Sequence, residues 1–145
     1  MAYNSIESEE GCERVLKKIL TVLASILIAF VLIIVGLLTF VMLGKDTTLN
    51  QQIGDIDLED VADGIYAGSY SGFRWSNMVE VTVKDHQITD IKVVKPQMFA
   101  RETTYTEITD RVKKQQNLKV DAVAEASVDT KAFLKAVENA VNGQK

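Results

Sequence analysis

A short run of small and polar residues, Ala124-Glu125-Ala126-Ser127-Val128-Asp129-Thr130, leads into a patterned segment near the end of the chain. From Lys131 onward the apolar positions are Ala132, Phe133, Ala136, Val137, Ala140 and Val141. That is the i, i+1, i+4, i+5 stripe of an amphipathic helix with one buried face. A loop of small residues running into a helix N-terminus gathers unbonded backbone N–H groups and the positive end of the helix dipole. Such a place is a ready anion site, suited to phosphate. Ser127 brings a hydroxyl to it, in a position where serine commonly serves as an N-cap.

The string Asp121-Ala122-Val123-Ala124-Glu125-Ala126-Ser127-Val128-Asp129-Thr130-Lys131-Ala132 resembles the signature of the FMN-binding domain family, roughly Asp-Ala-Val-Ser-Gly-Ala-Thr-x-Thr-Ser-Lys-Ala. The family includes flavoprotein subunits of sodium-translocating NADH:quinone oxidoreductase and extracytoplasmic electron-transfer proteins. The resemblance implies FMN as cofactor. It also implies a phosphoester bond at the Thr after Gly-Ala, where Ser127 stands here. Ala126, Thr130 and Lys131-Ala132 fit the pattern, whereas Ala124, Glu125 and Asp129 replace Ser, Gly and Thr. The cofactor-binding set so implied is Ala126, Ser127, Val128 and Thr130. Trp75, with Tyr70 or Phe73, would give the ring an apolar wall.

The replacements have physical consequences. Glycine at position 125 would let the backbone approach a phosphate, or take an angle that a side chain resists. Asp129 in a first helical turn stabilises an empty helix by roughly 0.3–1 kcal/mol and repels a phosphate. The alternative function is therefore a non-flavin binding or assembly module that keeps the fold. In that reading Ser127 is the N-cap of the last helix, and Tyr66, Tyr70, Phe73 and Trp75 are core or partner surface.

The elements that must position the loop are α+β: a small antiparallel sheet with two helices, tethered by one N-terminal transmembrane helix. Residues 65–72 read as a strand. Residues 78–84 and 87–94 alternate apolar and polar about Asp85-His86, a β-hairpin. His86 sits where a positive φ is needed and tolerates it better than most residues. Pro96 ends the third strand. Residues 103–116 place Tyr105, Ile108, Val112 and Gln115 on one side of a helix. An extended segment over 118–123 follows, then the last helix over 129–142 with Gly143 at its C-cap. Asp63-Gly64-Ile65-Tyr66-Ala67-Gly68, the 79–91 hairpin and Lys114-Gln115-Gln116-Asn117-Leu118-Lys119-Val120-Asp121 also resemble the family, so the likeness covers about residues 60–142.

Residues 19–43 are an unbroken uncharged run. As a helix this run spans roughly 37 Å against about 30 Å of bilayer hydrocarbon. Arg14, Lys17 and Lys18 precede it, and only Lys45 follows closely. The positive-inside rule then makes 1–18 cytoplasmic and the C-terminal domain extracytoplasmic, on an uncleaved signal anchor of a bacterial cell membrane. Residues 1–13 read as a disordered acidic tail, 44–63 as an extended acidic linker and 64–145 as the folded domain. Cys12 is the only cysteine and His86 the only histidine, so a metal centre and a Cys–His nucleophile are not expected. Basic residues without interleaved aromatics argue against nucleic acid. The partners implied are the membrane and a redox protein or quinone, for electron transfer rather than substrate turnover.

Overall fold

The computed structural model describes residues 3–143, with side chains described over 13–143. The chain divides at Met42 into two compact units.

The first unit is helix α1, Tyr3–Met42. Its side chains over 19–40 are uncharged, mostly apolar and exposed on every side. It is long and apolar enough to cross a membrane, with a mean hydropathy of 3.2 in its most apolar stretch. The helix also takes up residues that read from sequence as a disordered tail. Extending a helix adds one hydrogen bond per residue fixed, without a new nucleus, and residues 3–18 contain no proline.

In the second unit, β1 (Gly64–Tyr70), β2 (Asn77–Lys84) and β3 (Gln87–Lys95) form an antiparallel sheet in the order β1-β2-β3. Tyr66 pairs with Val81, and Val81 with Ile91. Alternation gives the sheet one buried face, led by Val79, Val81 and Val83. At the hairpin, Asp85 and His86 both take positive φ, 50° and 58°, as a two-residue type I′ loop demands. The five-residue helical turn after Gly44 is α2, Lys45–Leu49; α3 is Glu102–Gln115 and α4 is Ser127–Asn142. Helix α4 lies on β1 and β2, and α3 lies on β3 and touches α4. Phe133, Ala136, Val137, Ala140 and Val141 of α4 are fully buried, as are Ile108 and Val112 of α3. The Tyr105 and Phe133 rings join the two helices with centroids 5.7 Å apart.

Residues 118–123 belong to neither strand nor helix, and Leu118 and Val123 each bury a side chain. Gly143 ends α4 with φ −69°, so it is not a left-handed cap.

The acidic stretch 45–63 is also more than a spacer. Thr48, Leu58 and Val61 are buried. Tyr70 donates its hydroxyl proton to Thr48 Oγ1 (3.1 Å). Lys131 and Lys135 of α4 donate to the carbonyls of Gln51 (3.0 Å) and Gln52 (3.3 Å). The His86 ring contacts the Leu58 carbonyl at 3.1 Å. The charges face solvent while the apolar residues between them reach the core, so self-repulsion does not keep the segment off the domain.

Gly68 sets the distance between sheet and helix. A Cβ at this position would overlap the backbone of Ala136 and Ala140 and lie 2.6 Å from the Ala140 methyl. Backbone cannot yield as a flexible side chain can. Gly68→Ala is therefore expected to destabilise the domain by about 3 kcal/mol, read as a drop in the urea midpoint with an unchanged m-value.

Candidate functional site

The start of α4 is where chemistry-bearing residues meet. The cap position is Ala126, which has no side chain to offer a hydrogen bond. Ser127 is thus the first helical residue and not the N-cap expected from sequence. Its side chain is exposed, and its hydroxyl makes no hydrogen bond among the described residues. Ala126 N–H bonds to Val123 O (3.0 Å), and Thr130 N–H is the first to bond back, to Ala126 O (2.8 Å). The N–H groups of Ser127, Val128 and Asp129 lie between them and have no hydrogen-bonded partner among the described residues. Three free donors at the positive end of a sixteen-residue helix form an electropositive concentration.

Thr130 is placed differently. Its hydroxyl donates to Ala126 O (2.8 Å) and accepts from Val123 N–H (3.2 Å), and the residue is buried. It locks the loop shape and is not open to a ligand. Val128 packs partly against the core. Trp75, expected as an apolar wall, is buried too, at 1% exposure. The Arg74 guanidinium lies over its ring, 4.0 Å from the centroid, and its indole N–H donates to the Asp129 carboxylate. Tyr70 is likewise buried. Of the three wall candidates only Phe73 is open, at 62% exposure.

Glu125 takes φ 62°. The position therefore needs the left-handed angle that glycine adopts freely, and Glu holds it at a cost of about 1–2 kcal/mol. Its side chain is exposed. The Asp129 carboxyl has a pKa raised above its ordinary value, chiefly by burial, with the Arg74 charge and the Trp75 N–H pulling the other way. Burial is also the main cause of the raised Tyr105 pKa, with Asp129 adding to it.

Sequence reasoning missed the loop that closes this end. Gln97 is buried and donates its side-chain N–H to Asp129 O (3.0 Å), while its own backbone N–H donates to the Tyr105 hydroxyl oxygen (2.7 Å). Met98 N–H donates to Arg74 O (2.9 Å). These bonds tie three segments, 73–75, 97–99 and the first turn of α4, into one unit. On its rim stand Phe73 and Phe99, with φ 54° and 65° and exposures of 62% and 77%. Bulky residues at positive φ are outliers that persist only where the surroundings hold them. The one signal in the sequence was an apolar pair, Met98-Phe99, two residues after the strand-ending Pro96.

Residues 73–142 match the family model of the FMN-binding domain. That stretch is similar to an FMN-binding domain. The match takes in β2, β3, α3, α4 and the whole rim described above. No curated protein and no solved structure matches the chain. FMN is the cofactor that the domain implies, and the residues at α4 fit its phosphate end. Three unbonded N–H groups and the Ser127 hydroxyl are exposed together there. Glu125 is exposed, where solvent and salt screen its charge. Arg74 and the Trp75 N–H face the Asp129 carboxylate and offset part of the effect of its burial.

A folded-state pKa above the unfolded one means that folded Asp129 binds its proton more readily. Its contribution to stability then grows as pH falls through the raised value towards 3.8, and is least at neutral pH, where the buried carboxylate is charged. Asp129→Asn removes this titration. The unfolding free energy of the variant, minus that of the wild type, is expected to be more positive at about pH 7 than at about pH 4. Urea denaturation at the two pH values measures it.

Proposed function

We propose that this protein is a membrane-anchored, extracytoplasmic flavoprotein that carries electrons, with the phosphate end of FMN held at Ser127 and the N–H groups of Ser127, Val128 and Asp129. The observation that carries the reading is the exposed Ser127 hydroxyl beside three unbonded backbone donors, at the position where the family pattern places its phosphoester. When bound, the flavin supplies reversible redox chemistry. The protein's part is to hold the phosphate by the helix dipole. It also sets Arg74 and the Trp75 N–H against the Asp129 carboxylate, and fixes the loop through Thr130 and Gln97. Purified full-length protein is expected to be yellow, with an intact mass raised by one FMN. Ser127→Ala is expected to lose the mass addition and keep the fold. Colourless protein from flavin-replete cells would favour a binding or assembly module instead. Covalent flavin that survives Ser127→Ala would refute attachment at this residue.

The anchor is α1. Its apolar length supports a single membrane span. Arg14, Lys17 and Lys18 before it support a cytoplasmic N-terminus, in a cell membrane. Electrons would then pass outside the cytoplasm, to a redox protein or a quinone. External protease on intact cells is expected to remove the domain beyond residue 45. A domain protected until the membrane is breached would reverse the orientation.

A further inference from the structure

Gly44 directly follows the apolar run 19–43. It has φ 84°, and a Cβ built on it would lie 2.5 Å from Phe73 Cδ2. The Phe73 ring therefore rests on the residue at which the chain leaves its apolar segment. The bond from Met98 N–H to Arg74 O holds the 97–99 loop beside the Phe73 loop. Together these segments expose Leu43, Phe73, Met98 and Phe99. Lys45, Arg74, Lys95 and Arg101 occur on the same segments, against Asp46 and Glu102. Phe73 and Phe99 both keep a backbone angle that bulky residues avoid, and neither uses it to bury its ring in the domain.

We propose that Phe73, Met98 and Phe99 form a membrane-docking face, seated in the headgroup region of the bilayer that holds α1. Exposed aromatic and aliphatic side chains with basic neighbours are suited to that depth. Contact with Gly44 leaves Phe73 little choice of neighbourhood, because the preceding residues are themselves the apolar segment. The α4 N-terminus shares its loops with this face through Arg74, Trp75 and Gln97. The proposal rests on α1 spanning a membrane and does not require flavin.

Full-length protein in lipid nanodiscs tests it, one copy to a disc, with the anionic lipid fraction varied and a spin label near the headgroup as quencher. Phe99→Trp reports on the face. Lys84→Trp, at the opposite end of β2, is the control, and the wild type gives the Trp75 background. Intensities are compared with and without quencher at equal flavin content, so quenching by the cofactor cancels. Trp at position 99 is expected to lose most of its emission to the labelled lipid, and Trp at 84 to keep its own. Equal quenching at the two positions would overturn the proposal. So would emission at position 99 that changes with the number of copies per disc and not with the label, since that marks a second copy on the face. If Phe99→Trp does not fold, Met98→Trp reads the same surface. Protease accessibility of the same discs separates a failure of docking from a failure of α1 to span.

Discussion

Helix α4 lies so close to β1 that the strand must give up a side chain at Gly68, and the helix must offer only Ala136 and Ala140 opposite it. This contact between strand and helix backbone fixes the depth of α4 on the sheet. Depth in turn decides which α4 positions reach the core. Phe133 and Val137 fill the space between sheet and α3, while Lys131 and Lys135 emerge beside the 51–52 segment. The start of α4 is carried to the same height as the ends of β1 and β3. There Trp75 and Gln97 can reach Asp129 from two different loops.

The free donors at the helix start follow from the same geometry. A helix usually satisfies its first N–H groups with a side-chain cap, and here the cap residue is an alanine. Ser127 stands one position too late to serve. The carboxylate available in the first turn, Asp129, is engaged sideways by Arg74 and the Trp75 indole. An end left uncapped in this way has a use once an anion arrives, because the dipole and the donors are already aligned on it.

Much of this was legible in the sequence, for definite reasons. Alternation in 78–84 and 87–94 and the 3.6-residue stripe of α4 come from burial on one face, which is a local pattern. The flavin loop was legible as a family likeness, and Glu125 was legible as a residue in a glycine's place. What escaped were contacts between segments far apart in the chain. Nothing local reveals that Trp75 is covered by Arg74, that Thr130 is locked inside the loop, or that Gln97 bridges α3 and α4. The 45–63 stretch misled because its acids dominate composition, while three well-spaced residues, Thr48, Leu58 and Val61, determine where it lies.

The two lysine clamps on Gln51 and Gln52 give α4 a mechanical role. Any tension arriving along the chain from α1 would enter the domain at residues 45–52, and Lys131 and Lys135 would receive it within the first three turns of α4, the helix that begins at Ser127. Tyr70 at the end of β1 would share it through its bond to Thr48. Such a pull would be resisted by a helix with a fully buried face, held close against β1 at Gly68.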